Sequence, residues 1–281
     1  MSPPNSADLF AQAFEGPQHE PFTLPGTAGG ALLVHGFAGT PNDLRPLAGE
    51  LNARGWETQG LLLPGFGPDI HTLPQRRMED WANAARAALS DLQKRHRRTL
   101  LVGHSMGGGL SLQVAADLQP DGLVLLAPFW RFDRWLWKTL PVLRLFVRNV
   151  RLFAVQKLDF SDARTRRELG LFLPGADLDD PQIQAAVRRF SLPTRVFNEA
   201  RRVGLAGHQR APDVRSKTLV LQGSYDNLVT PALTRQLIMA LPTPPRYVEV
   251  AEGHLINECE KPGWPIVQRE VLELAQSLLK A

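Results

Sequence analysis

A serine between two glycines has the clearest chemical meaning in this chain. Apolar residues 100–102 predict a buried strand, Gly-His-Ser-Met-Gly follows at 103–107, and a helical pattern continues to residue 118. This order is typical of a nucleophile elbow, a sharp turn that lifts a serine hydroxyl out of a sheet. Because such a turn crowds its backbone, it needs glycine on both sides of the serine. Ser105 is therefore the predicted nucleophile, and the alternative is a glycine-rich turn with an incidental serine.

Two later residues are predicted to activate this serine. A serine hydroxyl attacks well only when a base takes its proton and a third group orients that base. Asp226 follows the apolar segment 217–221, and His254 follows the predicted strand 247–250. In a parallel sheet both residues would lie at the same edge as Ser105. The sequence thus predicts a triad for acyl transfer, in the chain order used by enzymes with a nucleophile elbow.

Two other acids stay open as alternatives to Asp226. Glu252 adjoins the turn that carries His254. Asp133 would be the acid if that group were carried on the strand after the elbow. Of the seven histidines, only His254 is predicted to act as the base.

Acyl transfer also needs donors for the negative charge that develops on the carbonyl oxygen. Preorganised N–H groups at that oxygen usually give the largest single stabilisation. The residue after the nucleophile, Met106, supplies one backbone N–H. We expect the second from Phe37 in the loop after the strand at 31–34, because Gly36 and Gly39 let the chain bend toward the serine. The alternative interpretation of this loop is a plain strand–helix connection.

These residues require a scaffold that presents several strand ends at one edge. Predicted strands alternate with helices, which indicates an α/β fold with a doubly wound, mostly parallel sheet covered on both faces. The residues before 20, rich in Pro, Asn and Gly, are expected to form a loosely attached arm. The predicted strands are 31–34, 56–63, 99–102, 123–126, 217–221 and 247–250, and the clearest predicted helices are 78–95 and 264–279.

The alternation stops at Pro128, and no buried-strand pattern follows until residue 214. We expect a helical insertion there. The predicted organisation is therefore a first part of the core at 20–127, a helical cap or lid at 128–213 and a second part of the core at 214–281.

The insertion is compositionally distinct. Residues 130–215 hold 17 Lys and Arg against 9 Asp and Glu, in a chain of net charge +4. Phe129–Lys138 contains three of the six tryptophans, and Arg144, Arg148 and Arg151 recur at helical spacing. Three interpretations stay open: an ordinary solvated basic face, a lid that covers an acyl pocket, and a surface that contacts anionic lipid. No nucleic-acid-binding module accompanies the charge, so a nucleic-acid partner is not expected.

Composition excludes several classes of protein. With 43% hydrophobic and 21% charged residues among 281, the chain is typical of a globular protein. Cys259 is the only cysteine, so neither an intramolecular disulfide nor a thiolate metal cluster is possible, and no metal or organic cofactor is implied. No apolar run approaches the roughly 20 residues of a membrane helix, and the first residues do not resemble a signal peptide. A cytoplasmic protein is expected.

Together these motifs resemble the α/β-hydrolase superfamily, and within it bacterial carboxylesterases and monoacylglycerol lipases with a small helical cap. The matching segments are 35–40, 103–108, 223–226 and 253–254. Pro64-Gly65-Phe66-Gly67 also resembles a family loop, but the usual pattern carries a histidine in place of Phe66. The resemblance implies a small-molecule partner, namely short- to medium-chain acyl esters with monoacylglycerols among them, cleaved through an acyl-enzyme on Ser105.

Other functions remain compatible with the same residues. A thioesterase, an acyltransferase or a carbon–carbon bond hydrolase would use the same triad. An alternative of another class is a catalytically silent ligand-binding protein on the same scaffold. The sequence does not determine the natural substrate or the oligomeric state.

Overall fold

Apolar segments that alternate with amphipathic ones fold into alternating strands and helices. The computed structural model describes residues 14, 16–132, 139, 149–151, 159–162, 165–166, 169, 177–189 and 191–280, and the elements below belong to this part of the chain. The strands are β1 (Phe22–Leu24), β2 (Gly29–Val34), β3 (Trp56–Leu61), β4 (Thr99–His104), β5 (Gly122–Leu126), β6 (Asn149–Arg151), β7 (Ser191–Pro193), β8 (Lys217–Gly223) and β9 (Arg246–Val250). The α-helices are α1 (Arg45–Asn52), α2 (Met78–Arg95), α3 (Met106–Leu118), α4 (Pro181–Arg189), α5 (Thr194–Arg210), α6 (Pro231–Ile238) and α7 (Trp264–Leu279). Short 3₁₀ turns lie at Pro41–Leu44, Gly67–Gln75 and Ala211–Asp213.

Seven of these strands form one sheet in the order β1-β3-β2-β4-β5-β8-β9. Strand β1 runs antiparallel to β3, and the other neighbours are parallel. Strands β2, β4 and β5 are buried along their whole length, because helices cover both faces of a parallel sheet. The predicted mostly parallel α/β sheet is confirmed.

Helices on the two faces of the sheet bury separate apolar clusters. On one face, α2 contributes Trp81 and Leu89, and α3 contributes Leu110. On the other face, α1 contributes Leu47 and α7 contributes Val271. The sheet is therefore doubly wound, as the alternation of strands and helices predicts.

The register of the parallel strands brings their carboxyl ends to one edge. Val34 at the end of β2 lies opposite Gly103 in β4, and Leu126 at the end of β5 lies opposite the last residue of β4. Gly223 and Val250 pair at the ends of β8 and β9. Loops after these strands consequently meet above the same edge, where ligands of parallel sheets usually bind.

The insertion after β5 is not purely helical, which the sequence analysis did not predict. Strands β6 and β7 pair antiparallel as a separate two-stranded sheet. Strands of three residues are too short to show a period distinguishable from helical spacing. Helix α4 lies between these two strands in the chain, α5 follows β7, and α5 packs on α3 of the core. The boundaries at 128 and 213 stay a prediction.

Two residues of the predicted loosely attached arm, Phe14 and His19, pack on the core, so the prediction is wrong for them. Phe14 is buried in the cluster on the α2 face, and His19 Nδ1 lies 3.0 Å from Thr40 Oγ1. Composition rich in Pro and Gly argues against regular helix, but it does not prevent docking of irregular chain. The remaining residues before 16 lie outside the described part.

A membrane-spanning helix needs about 20 mostly apolar residues. In the described part of the chain, no helix combines such length with such apolar character. The longest described helix, α2, has 18 residues and exposes Glu79 and Asp80 in its first turn.

Helix α5 approaches α3 so closely that a side chain does not fit between them. A Cβ at Gly207 would overlap the carbonyl oxygen of Gly109. We expect Gly207→Ala to lower the free energy of unfolding by about 1–3 kcal/mol, because overpacking forces the two backbones apart.

The control for this substitution is Gly49→Ala in α1, where a Cβ would have nothing within 4 Å. Alanine favours a helix, so this variant should gain roughly 0.5–1 kcal/mol. Urea unfolding measures both variants. Wild-type stability in Gly207→Ala would contradict the close approach.

Candidate active site

Ser105 lies in the turn between β4 and α3, in a backbone conformation that few residues adopt. Its φ is 51° and its ψ is −118°, and such a conformation costs about 1–3 kcal/mol unless its surroundings hold it. The Ser105 N–H donates to the Leu126 carbonyl at 2.9 Å, and its own carbonyl accepts the N–H groups of Gly108 and Phe129, each at 2.9 Å. The end of β5 and the segment after it therefore maintain the strained turn.

Close backbone contacts explain both glycines of the motif. A Cβ at Gly103 would lie 2.5 Å from the Gly107 carbonyl oxygen, and one at Gly107 would overlap the Val34 carbonyl oxygen. Helix α3 thus begins directly against strands β4 and β2. The steric reason given for glycine at these positions holds in the structure.

The structure brings the three predicted triad side chains into one hydrogen-bonded chain. His254 Nε2 lies 2.9 Å from Ser105 Oγ, and His254 Nδ1 lies 2.7 Å from Asp226 Oδ2. An ionised carboxylate only accepts hydrogen bonds, so Nδ1 carries the hydrogen and Nε2 is left to accept the serine proton. This tautomer is the one that a general base beside a serine requires.

Asp226 is held in place by its own turn. Its Oδ1 accepts the N–H groups of Leu228 and Val229 at 2.8 Å, and Gln222 Nε2 donates to Oδ2 at 3.1 Å. Burial alone would raise the pKa of this carboxyl, but the hydrogen bond and charge of His254 and the two backbone donors outweigh it, and the pKa of Asp226 is lowered. The carboxyl is therefore ionised in the pH range where an imidazole gains a proton.

Of the two alternative acids, Glu252 is engaged elsewhere. Its Oε1 accepts the Gly263 N–H at 2.9 Å, which fixes the start of α7 instead of approaching the imidazole. Asp133 lies outside the described residues. Within the described residues, no group of three His, Cys, Asp or Glu side chains could hold a metal ion.

Met106, one predicted oxyanion donor, directly follows Ser105 in the chain, and the loop that carries the other, Phe37, comes close to the serine in space. Met106 is the first residue of α3, where no helical carbonyl accepts the backbone N–H. Phe37 follows Gly36, and a Cβ at Gly36 would lie 3.1 Å from the Cβ of Ser105. The loop after β2 therefore passes directly against the nucleophile.

The bend in this loop falls on Ala38, whereas the sequence analysis placed it on the two glycines. Ala38 has a φ of 62°, in the left-handed region that costs a residue with a side chain roughly 1–2 kcal/mol. At Gly39 a Cβ would overlap Asp43 Oδ2, so a larger residue there would displace that carboxyl. That carboxyl accepts the Thr40 N–H at 3.3 Å, so the loop is tied to the 3₁₀ turn that follows it.

His35 ties the start of the same loop to a neighbouring connection. Its Nδ1 lies 2.8 Å from the Gly36 carbonyl oxygen, and its Nε2 accepts the Leu63 N–H at 3.1 Å. A ring that donates from one nitrogen and accepts at the other must be neutral. Complete burial lowers the pKa of His35 to about 4, which agrees with this pairing.

His104, inside the serine motif, packs against the predicted base. Its ring centroid lies 5.3 Å from that of His254. Burial lowers the pKa of His104 to about 3, so this imidazole is neutral near pH 7. No second positive charge therefore competes when His254 is protonated.

Two further residues connect the loops, and the sequence analysis missed both. Asn257 Nδ2 donates to the Asp43 carbonyl at 2.8 Å, which links the loop that carries His254 to the turn after the Phe37 loop. Burial raises the pKa of Asp43 to about 7. The hydrogen bond from the Thr40 N–H opposes this shift, and the negative charge of Glu258 adds to it. The sequence does contain a signal that involves Asp43, the Thr-x-x-Asp spacing of a capping box. This spacing predicts the start of a helix, and it does not predict an acid with a raised pKa.

Only the beginning of the aromatic and basic part of the insertion is described. The Trp130 ring stacks on His208 at 4.3 Å between centroids, and the Arg131 guanidinium lies 4.4 Å above the same ring. Arg151 falls in β6, so the predicted helical spacing of the arginines is wrong at that residue. The lid and lipid-contact interpretations stay predictions, because they depend on residues 133–138 and 140–148, which lie outside the described part and include Arg144 and Arg148.

A family model and two curated relatives match this chain. The family model described as serine aminopeptidase, S33 (Hydrolase_4) matches residues 27–255. The thermostable monoacylglycerol lipase of Bacillus sp. (strain H-257) is 34% identical over 102 residues, which is 36% of this chain and 40% of that protein. A carboxylesterase of Bacillus subtilis (strain 168) is 30% identical over 106 residues, 37% of this chain and 43% of that protein. The chain thus spans less than half the length of these curated relatives.

A solved structure shows the same fold over most of the chain. The monoacylglycerol lipase of Paleococcus ferrophilus has a TM-score of 0.68 and 17% identity, and the match covers 92% of this chain and 98% of that one.

The raised pKa of Asp43 predicts a pH-dependent loss of stability. Its ordinary value is 3.8 and its value in the fold is about 7, so folding favours the protonated carboxyl. Stability should therefore fall as the pH rises between these values and stay low above them. Asp43→Asn keeps an acceptor for Thr40 but cannot ionise. We expect it to raise the free energy of unfolding at pH 8 by roughly 2 kcal/mol, with little change at pH 4.

Denaturant unfolding at the two pH values tests this expectation. Asp121→Asn is a control for which the change in stability should have the opposite sign. Burial opposes ionisation of Asp121 too, but hydrogen bonds from Thr99 and Arg98 outweigh it and lower the pKa of Asp121. That control should lose stability at pH 8. Equal changes at both pH values in Asp43→Asn would contradict a buried, weakened acid.

Proposed function

The chain belongs to the serine aminopeptidase S33 family, Hydrolase_4, and we propose that it is a serine hydrolase that cleaves carboxylic esters through an acyl-enzyme on Ser105. The observation that carries the proposal is the hydrogen-bonded chain from Ser105 Oγ through His254 to Asp226, with separations of 2.9 and 2.7 Å. A strained serine, an oriented imidazole and a buried carboxylate have no joint structural purpose, whereas base-assisted attack needs all three.

In the first half of the reaction, Ser105 Oγ attacks the carbonyl carbon while His254 Nε2 takes its proton. The carbonyl oxygen becomes negative and is held by the N–H groups of Phe37 and Met106. Asp226 keeps the imidazole in the productive tautomer and stabilises its positive charge. When the carbonyl re-forms, the ester C–O bond breaks and His254 returns the proton to the departing alcohol.

The second half repeats these steps with water. His254 takes a proton from a water molecule that attacks the acyl-enzyme, and the same two N–H groups hold the oxygen again. Ser105 then leaves with the proton, and the carboxylic acid is released. The chain's own residues supply each proton transfer in this sequence.

The proposed substrates are short- to medium-chain acyl esters, with monoacylglycerols among them. The relatives named monoacylglycerol lipase and carboxylesterase support this class. We place residues 128–213 as a cap that limits which esters reach Ser105.

Replacing the nucleophile tests the proposal. Wild type should hydrolyse p-nitrophenyl butyrate and react with a fluorophosphonate probe, and Ser105→Ala should lower kcat roughly 10⁶-fold and abolish labelling. Ser224→Ala is the matched control. Its hydroxyl donates to the Val250 carbonyl at 3.0 Å, away from the reacting atoms, and kcat should not change. Activity retained in Ser105→Ala would reject the assignment, and an unreactive wild type would favour a silent ligand-binding protein.

Replacing the acid tests the tautomer. Asp226→Asn should lower kcat by about 10⁴-fold, because the amide donates to Nδ1 and leaves the hydrogen on Nε2. Asp121→Asn, a loss of charge remote from the triad, should leave kcat unchanged. Steady-state kinetics of both variants, with thermal unfolding to show that each is folded, distinguish a catalytic effect from a loss of structure. Normal kcat in folded Asp226→Asn would contradict this role.

A further inference from the structure

An aromatic surface continues from the loop that carries Phe37 onto helix α5. The rings of Phe37 and Phe197 lie 5.8 Å apart between centroids, at an interplanar angle of 40°. Both rings are partly exposed, whereas Phe66 behind them is fully buried. The two half-buried rings therefore form an aromatic surface that begins at Phe37, the proposed oxyanion donor.

The residues behind this surface keep it apolar. Phe66 meets Phe37 edge to face, with centroids 5.8 Å apart, and Trp81 lies 5.6 Å behind Phe66. The Trp81 Nε1–H is satisfied by the Pro64 carbonyl at 2.9 Å. Phe66 is itself fully buried, so the layer behind the two rings is aromatic and apolar.

Helix α5 holds Phe197 in a constant position relative to the elbow. The backbones of α5 and α3 touch where Gly207 meets Gly109, and Gln113 Nε2 of α3 donates to the Val203 carbonyl at 3.0 Å. Glu199, two residues after Phe197, accepts the Met78 N–H at 3.1 Å. Although α5 belongs to the insertion in sequence, it is packed as part of the core.

We propose that Phe37 and Phe197 form the wall against which the acyl chain of the ester packs, and that Phe197 is the residue that determines the preference for chain length. The inference rests on the proposed ester hydrolysis at Ser105. An ester bound with its carbonyl oxygen on the Phe37 N–H has its substituents beside the Phe37 ring. An alkyl chain gains about fourfold in affinity for each methylene buried on such a surface, whereas the hydroxyls of a polar alcohol would lose hydrogen bonds there.

The test is the dependence of kcat/KM on acyl-chain length, measured with p-nitrophenyl acetate, butyrate and octanoate. In Phe197→Ala the preference for octanoate over acetate should fall about tenfold, because much of one apolar wall is lost. Phe197→Gln should lose the preference as well, since its side chain is close in size to that of leucine but presents a polar amide. Phe197→Leu keeps apolar surface and should retain most of it.

Phe22→Ala is the matched control. Phe22 is also a half-buried ring, but it packs against the cluster on the other face of the sheet, under the guanidinium of Arg45. Its removal should change stability and leave the ratio of octanoate to acetate unaltered. Thermal unfolding identifies any variant that does not fold, and the Gln and Leu variants each test the inference if the Ala variant is unstable.

The outcomes separate this inference from the proposed function. One contrary result is that folded Phe197 variants still hydrolyse p-nitrophenyl acetate with unchanged dependence on chain length. That result would contradict the proposed acyl-chain wall but would not contradict ester hydrolysis at Ser105. The Phe197 substitutions could instead change kcat/KM only when the alcohol of the ester is varied and the acyl group is kept constant. This result would also contradict the inference, because the two rings would then contact the alcohol. A wild-type protein that hydrolyses none of the esters would instead reject the proposed function.

Discussion

The position of Ser105 depends on how closely helix α3 lies against the chain around it. A Cβ at Gly107, in the first turn of α3, would overlap the Val34 carbonyl oxygen, and a Cβ at Gly109 would lie 2.5 Å from the Phe129 carbonyl oxygen. Backbone-to-backbone contacts of this kind leave no soft side chain that could adjust. The positive φ at Ser105 persists because these contacts permit no other path. The loop after β2, the elbow and the segment after β5 are therefore positioned as one unit.

Burial and hydrogen bonding determine which side chains of this unit carry a charge. His35 and His104 are neutral because burial lowers their pKa values to about 4 and about 3. Asp226 is ionised because its hydrogen-bond donors outweigh the effect of burial. His254 lies between a neutral imidazole, a carboxylate and a hydroxyl. A positive charge on its ring would therefore meet an attractive carboxylate and no repulsive neighbour, as the proposed proton transfer requires.

The positive charge of the insertion is partly neutralised by the core. Arg202 of α5 pairs with Glu79 of α2, and Arg210 pairs with Asp117 of α3 at 2.9 Å. Exposed pairs of this kind add little stability, but they lower the positive potential that an anionic partner would meet. The excess of Lys and Arg counted from the sequence thus overstates the unpaired charge of this segment.

Local spacing was sufficient to determine the parallel sheet and the strand-end positions of Ser105, Asp226 and His254. A strand, a turn and a helix are specified by neighbouring residues, and parallel strands then bring their ends to one edge whatever lies between them. Tertiary structure alone decided what surrounds these residues. Asn257 reaches Asp43 across 214 residues of sequence, and the two-stranded sheet of β6 and β7 joins segments too short to show a period. The aromatic surface exists because the backbones of α3 and α5 touch. No local pattern encodes such a distance, since it depends on packing between segments far apart in the chain.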